Sequence, residues 1–147
     1  MKDNVLRAAL VGIIATLIKD ISDVIYISIG YQGFPVIKMS AGVFLKPEYF
    51  SSTYLYIIGY TAHYMAGVIL SFIFYKFLFN YGYENAILKG VFFSLAIWLL
   101  LCGAFIHFGL SYVQPQNEQG IMMLLVDHVV FGIALGLFMP LFTKNTK

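Results

Sequence analysis

Apolar side chains are concentrated in four long runs, which polar segments separate. The runs cover residues 5–29, 54–79, 87–108 and 121–142. A helix needs about 20 mainly apolar residues to cross the hydrocarbon core of a bilayer, and each run has that length. The pattern therefore predicts an all-α fold, a four-helix transmembrane bundle in which residues 1–147 form a single integral membrane domain.

The longest connection, residues 30–53, contains a further and shorter apolar segment. Pro35 and Pro47 bracket residues 36–45, which are too few to cross a membrane. Because this segment is both apolar and short, it predicts a short interfacial or re-entrant helix at the outer surface of the bundle.

Composition also indicates a membrane protein. Hydrophobic residues make up 61% of the chain and charged residues 11%, and the mean hydropathy is +0.84. Soluble domains usually have about 25% charged residues. The lipid bilayer is therefore the expected environment, and the net charge of +2 gives no reason to expect a nucleic-acid partner. Cys102 is the single cysteine, so no intrachain disulfide can form, and its apolar surroundings predict a small buried side chain.

Lysine and arginine residues are distributed unequally between the two sides of the predicted bundle. One side has only Lys38 and Lys46. The other side has six positive residues, namely Lys2, Arg7, Lys76, Lys89, Lys144 and Lys147. Because positive residues favour the cytoplasmic side, both termini are predicted to be cytoplasmic in a multi-pass protein. Lys19 and Asp20 stand where a signal-peptide cleavage site would need small residues, so we expect no cleavage there.

Most ionisable side chains inside the four runs lie in the outer half of the predicted bundle. A helix rises about 1.5 Å per residue, which places these side chains roughly 9–13 Å below the outer boundary. An intramembrane charge costs about 2.5–3.5 kcal/mol at the helix centre, so such residues usually face the bundle interior or water. We therefore predict one polar cavity, open to the outside, that binds a ligand or forms an ion pathway. The predicted residues are Lys19, Asp20, Asp23, His63, Asp127 and His128, with His107 and Tyr60 as secondary candidates.

Helical spacing decides which of these side chains can meet. Lys19 and Asp23 are four residues apart, so they can pair on one helix face. Asp127 and His128 are adjacent and point about 100° apart, so both need not enter the cavity.

Three glycines lie on the same helix faces as two of the candidate histidines. Gly67 is four residues after His63, and His128 begins a row with Gly132 and Gly136. Small residues at this spacing let two helices approach closely, so we predict helix packing at all three glycines. Because four spans with such a strip leave surface for partners, we also expect a homo-oligomer or membership of a larger membrane complex.

Charge counting leaves the role of the cavity open. Lys19 offsets one of the three aspartates, so two negative charges remain if the histidines are neutral. Binding or passing a cation, a proton or a small solute is the function that we expect from such a cavity. A structural or accessory subunit of a larger membrane complex is the alternative, because polar groups also fix helix packing in membranes.

A divalent metal or a haem is a further alternative, and it would need ligands from several helices. The candidate ligands are His63, His128, Asp20 and Asp23. None of them has the paired spacing of known metal-binding helices, so no cofactor is expected. The sequence also lacks catalytic motifs such as GxSxG and HExxH, and we do not expect an enzyme.

Three apolar stretches carry a resemblance to a known group of proteins. They are GIIATLIKDISDVI in the first run, LKGVFFSLAIW in the third and VFGIALGLF in the fourth. These stretches resemble small uncharacterised four-span bacterial membrane proteins. The resemblance implies four spans in the cytoplasmic (inner) membrane of a bacterium, and it implies no activity.

Overall fold

The structure is a computed structural model, which describes residues 3–115 and 117–143. Within these residues the chain is helical and forms no strand, so the all-α prediction is confirmed for the described part. Three of the positive residues used to predict orientation, Lys2, Lys144 and Lys147, lie outside the described residues.

The first helix, α1, spans Asn4–Ser28 and begins at a side-chain cap. The Asp3 carboxylate accepts hydrogen bonds from the backbone N–H groups of Val5, at 2.8 Å, and Leu6, at 3.3 Å. These groups have no partner inside the helix, so the cap satisfies them. Just beyond the helix, Gly30 takes a positive φ of 96°, a conformation that glycine adopts without steric cost.

The connection after α1 contains the short helix that its apolar segment predicts. This helix, α2, spans Val36–Ala41 and ends at Ala41 rather than at residue 45. A single 3₁₀ turn, Pro47–Tyr49, follows it. The Ser111 hydroxyl donates to the Met39 carbonyl oxygen at 2.8 Å, which ties α2 to the last connection of the chain.

Among residues 3–115 and 117–143, three helices are long and apolar enough to cross a membrane. They are α3, Thr53–Tyr81; a continuous helix, Ala86–Phe108; and α6, Glu118–Thr143. The continuous helix consists of α4, Ala86–Ile97; a π-helical turn, Trp98–Cys102; and α5, Gly103–Phe108. The runs at residues 54–79, 87–108 and 121–142 therefore correspond to these three helices.

The remaining run, α1, has the length of a membrane helix but a different composition. It contains 25 residues, and four of them are charged: Arg7, Lys19, Asp20 and Asp23. Arg7 Nη1 donates to the Phe142 carbonyl oxygen at 2.9 Å, so the start of α1 lies beside the end of α6. We call this end of the helices the terminal end, and the opposite end, where α2 lies, the loop end.

The long helices form a row. The helix α3 packs on α1, α1 packs on α6, and α6 packs on α4, whereas α3 barely touches α4. A Cβ at Gly12 of α1 would lie 2.7 Å from the Gly67 carbonyl oxygen of α3, which is too close for any larger residue. A Cβ at Gly132 would lie 2.5 Å from the Gly90 carbonyl oxygen, and Gly136 also lies against α4. The glycine row of α6 is therefore used inside the chain, so it no longer supports a homo-oligomer.

Two apolar clusters stabilise the row. The larger one lies toward the terminal end and includes Ala8, Val11, Ala15, Phe74, Leu78, Phe131, Leu135 and Met139. The smaller one lies at the loop end and contains Phe34, Met39, Met123 and Leu124. On α6, Asp127 stands between Leu124 of one cluster and Phe131 of the other. Asp127 therefore lies between the two apolar clusters.

Candidate functional site

Lys19 is the centre of a group of polar side chains between the two apolar clusters. The residue is buried, with 6% of its surface exposed. Lys19 Nζ lies 3.0 Å from Asp20 Oδ1, 3.0 Å from Asp23 Oδ2 and 3.7 Å from Asp127 Oδ2. The Lys19–Asp23 pair forms across one helical turn, as the spacing predicts. One ammonium group therefore faces three carboxylates, two on α1 and one on α6.

Asp20 connects this group to α3. Its Oδ1 lies 3.0 Å from His63 Nε2, and its Oδ2 accepts a hydrogen bond from the Tyr64 hydroxyl at 3.0 Å. Tyr64 is a residue that sequence reasoning missed; its signal is a phenol directly after a candidate histidine, inside an apolar run. We use the term polar cluster for these six residues: Lys19, Asp20, Asp23, His63, Tyr64 and Asp127.

Asp127 is the most deeply buried carboxylate of the polar cluster, with 2% of the residue exposed. Among the described residues, its Oδ2 has no hydrogen-bond partner, and neither has Oδ1 of Asp23. The two carboxyl groups share one neighbour, since Lys19 Nζ lies 3.0 Å from Oδ2 of Asp23 and 3.7 Å from Oδ2 of Asp127. We call Asp23 and Asp127 the carboxyl pair. A buried acceptor without a donor lowers stability by about 1–3 kcal/mol. When both groups of the pair are ionised, each has one such oxygen.

His128 lies next to the polar cluster on α6. Its Nδ1 is 2.7 Å from the Leu124 carbonyl oxygen, and because a carbonyl only accepts, Nδ1 carries the proton. The Ser94 hydroxyl of α4 donates to the His128 carbonyl oxygen. His128 Nε2 lies 4.0 Å from Cys102 Sγ, at the limit of a hydrogen bond to sulfur. Cys102 is buried, as its surroundings predict, and no sequence signal placed it beside a candidate histidine.

A cavity of about 170 Å³ adjoins the polar cluster between α3 and the continuous helix. Its polar lining comes from Lys19, His63, Asp127 and His128, so both neighbours on α6 reach it. Its apolar lining includes Leu70, Ile97, Leu101, Phe105, Leu124 and Phe131. The π-helical turn supplies Leu101 and Cys102, and such turns occur frequently at functional sites.

His107 and Tyr60, the secondary candidates, do not join this site. His107 is exposed and its ring lies 4.9 Å from that of Phe108. Two residues turn a helix by about 200°, so His107 faces away when Phe105 lines the cavity. Tyr60 is 51% exposed, and its ring centroid lies 6.5 Å from that of Tyr64. The expectation that all three histidines share one cavity is therefore corrected: His63 and His128 line it, and His107 does not.

The candidate metal ligands His63, His128, Asp20 and Asp23 do not form a metal-binding group in the described chain. No group of three or more histidine, cysteine, aspartate or glutamate side chains there is arranged to hold a metal ion. His63 is bonded to Asp20, and the Lys19 ammonium occupies the space between Asp20 and Asp23. The Lys19 ammonium group thus occupies the position from which a metal ion would bind the oxygens of Asp20 and Asp23.

Comparisons with protein-family models, with curated proteins and with solved structures find no match to this chain. The resemblance to four-span bacterial membrane proteins therefore stays an expectation, and function has to be argued from the site itself.

Proposed function

We propose that this chain is a four-span membrane protein that binds a cation, in the first place a proton, at the carboxyl pair. Three helices have the length and composition of membrane spans. The fourth span is α1, whose 25 residues pack against α3 and α6 along the same row. The three charged residues at its centre are shielded from lipid by those neighbours, since Lys19 is buried and the side chains of Asp20 and Asp23 are only 23% and 15% exposed.

The orientation that we propose places the terminal end in the cytoplasm and the loop end outside. Among the described residues, Arg7, Lys76 and Lys89 lie toward the terminal end, and Lys38 and Lys46 belong to the connection at the loop end. Positive residues favour the cytoplasmic side of a membrane protein. Together with the resemblance, this gives a multi-pass protein of a bacterial inner membrane whose polar cluster lies in the outer half.

One observation carries the proposal: two buried oxygens of the carboxyl pair have no donor in the described chain. Lys19 supplies one positive charge against the three negative charges of Asp20, Asp23 and Asp127. A proton held between Asp23 and Asp127 gives both oxygens a partner and removes one excess charge. Two carboxylates that share a site retain a proton for this reason.

Binding is favoured over passage by the polar residues of the terminal half. Among the described residues, the buried polar side chains there are hydroxyl groups such as Ser71 and Thr143. Ser71 donates to the Ala8 carbonyl oxygen at 2.6 Å, and Thr143 donates to that of Met139 at 2.7 Å. These hydroxyl groups serve the helices themselves and do not continue the polar cluster toward the cytoplasm.

An infrared titration of the purified protein in lipid tests proton binding directly. We expect a protonated-carboxyl C=O band that grows as the pH falls and that Asp127→Asn removes. Asp3→Asn is the matched control, because asparagine also caps a helix and Asp3 lies outside the cluster. A wild-type spectrum with no band that Asp127→Asn removes, at every pH where the protein stays folded, contradicts the proposal.

A structural or accessory subunit is the second candidate function. It is favoured by the bonds of Asp20, which join α1 to His63 and Tyr64 of α3, and by the Lys19–Asp127 contact with α6. If this is the whole role, Asp127→Asn lowers the stability of the protein. The wild-type infrared spectrum then has no titrating carboxyl band that this substitution removes.

A further inference from the structure

We propose that the carboxyl pair also accepts the ammonium group of a small apolar amine, whose hydrocarbon body occupies the adjoining cavity. The inference rests on the proposed cation site, and it names the class of ligand that competes there with the proton. Three features support it: the size and lining of the cavity, the unpartnered oxygen of Asp127, and the excess of negative charge.

The cavity has the size and the walls for one hydrocarbon ring. Its volume is about 170 Å³. An engineered apolar cavity of about 150 Å³ binds benzene. Leucine side chains and the rings of Phe105 and Phe131 form part of the wall, so a hydrocarbon body meets apolar atoms there. Phenylalanine rings also attract a cation that lies over their faces.

Asp127 stands at the polar end of the cavity. Asp127 lines the cavity, and only 2% of the residue is exposed. Its Oδ2 has no hydrogen bond among the described residues. Lys19 Nζ lies 3.7 Å from this oxygen, beyond a normal hydrogen bond. A primary ammonium group has three donors, so it can bind the carboxyl group of Asp127, a lining residue, while the hydrocarbon body stays in the cavity.

Charge decides between an amine and other ligands of the same size. The polar cluster already contains more carboxylates than cations, so a carboxylic acid or a phosphate would add to the excess. A neutral alcohol would donate one hydrogen bond and leave the charge unchanged. An ammonium group donates and also neutralises, and charge-assisted hydrogen bonds are about twice as strong as neutral ones.

The ligand has a route from the lipid. The helices α3 and α4 barely touch, and the cavity lies between α3 and the continuous helix to which α4 belongs. Ala66 of α3 lines the cavity and is also exposed at the helix surface. An amine dissolved at the membrane surface can therefore enter sideways between these helices.

The proton and the ammonium group exclude each other, because both need the same oxygens. The titratable groups that surround the carboxyl pair or line the adjoining cavity are Lys19, Asp20, His63, Tyr64, Cys102 and His128. Lowering the pH fills the pair with a proton and weakens amine binding.

Equilibrium dialysis of the protein in mild detergent, with radiolabelled benzylamine as the probe, tests the inference. Benzyl alcohol is the matched neutral probe, because it has the same ring and a hydroxyl donor in place of the ammonium group. We expect benzylamine to bind at one site per chain and about tenfold more tightly than benzyl alcohol. No saturable benzylamine binding, or equal binding of the two probes, overturns the inference.

Two variants and one control locate the site. Asp127→Asn is expected to weaken benzylamine binding about tenfold and to leave benzyl alcohol binding within about twofold. Ala66→Phe is expected to abolish binding of both probes, because it fills the cavity from α3. Ala96→Phe is the control, since Ala96 is exposed on α4 and does not line the cavity. Retained binding in Ala66→Phe places the amine elsewhere and refutes the site.

The outcomes for the two proposals are distinguishable. A titrating carboxyl band that Asp127→Asn removes, together with absent benzylamine binding, sustains proton binding and refutes the amine. Because the chain has one cysteine, alkylation of Cys102 gives a second, local readout of the same cavity. Benzylamine bound in the cavity slows this alkylation, and benzylamine bound at the helix surface does not.

Discussion

The terminal and loop halves of the helices differ in whether their buried polar groups have hydrogen-bond partners. In the terminal half, the Ser71 and Thr143 hydroxyls are buried, and each is satisfied by a backbone carbonyl. Toward the loop end, the polar cluster is ionisable, and Oδ1 of Asp23 and Oδ2 of Asp127 lack a donor within the described chain. The hydroxyl groups of the terminal half have their hydrogen-bond partners in the backbone of the packed helices. The carboxylates of the loop half exceed the cations beside them, so an added positive group can bind there.

The helix contacts repeat this contrast. In the terminal half, α1 and α6 share an apolar core with α3 that includes Phe74 and Leu135, both with 0% exposure. Beside the polar cluster, α3 and the continuous helix separate around the cavity, and the latter takes a π-helical turn at Trp98–Cys102. The loop half thus contains the cavity beside the polar cluster, and it is where we place ligand binding.

The largest expected effect comes from removing the central cation of the loop half. Lys19→Met leaves three carboxylates around an apolar side chain, and breaking a buried ion pair from one side costs about 3–5 kcal/mol of unfolding free energy. Denaturant unfolding in detergent, followed by circular dichroism, measures the loss.

A double-mutant cycle distinguishes charge from packing in this loss. Adding Asp127→Asn to Lys19→Met removes one of the uncompensated carboxylates, so the double variant is expected to be more stable than Lys19→Met alone. Simple addition of the two single losses contradicts the view that Lys19 acts through the carboxylates.

A smaller effect is expected from truncating the terminal core. Leu135→Ala leaves a void, which costs about 2–5 kcal/mol in soluble proteins. Lipid tails are as apolar as leucine, so only the packing part of that cost remains, and we expect about 1–2 kcal/mol. Leu137→Ala is the matched control, because Leu137 is 45% exposed on the same helix and should change stability little.

The same variant tests whether the two halves are independent. Leu135→Ala lies in the terminal core, so its infrared carboxyl titration should match that of the wild type. A shifted titration in Leu135→Ala, with none in Leu137→Ala, contradicts a functional division between the halves.

The sequence predicts the long helices of this protein well because each of them coincides with a long apolar run. The three apolar runs from residue 54 onward correspond to α3, the continuous helix and α6. Helix boundaries in the loop were less predictable: α2 ends at Ala41, where the chain turns, although the apolar segment continues to residue 45. Apolar composition reports the environment of a segment, and the hydrogen bonds of its ends decide its length.

The candidate site was predictable by depth along the helices and much less by helix face. Depth alone grouped His107 with His63 and His128, but rotation about the helix axis turns His107 away from the cavity. The row order of the helices, which one sequence does not contain, decides that Cys102 approaches His128. The cavity itself depends on the gap between α3 and α4, and no local pattern in either helix encodes it.

The smallest expected effect comes from one hydroxyl at the edge of the polar cluster. Tyr64→Phe removes the donor to Asp20 Oδ2, while His63 and Lys19 still bond the other oxygen of that carboxylate. A hydrogen bond to a charged group contributes about 1.5–3 kcal/mol when buried, and the remaining partners reduce the expected loss to about 1 kcal/mol. Tyr60→Phe is the matched control, because Tyr60 lies one turn earlier on α3 and is 51% exposed. Denaturant unfolding of the two variants side by side measures the difference, and equal stabilities would remove Tyr64 from the polar cluster and leave α3 bonded to it through His63 alone.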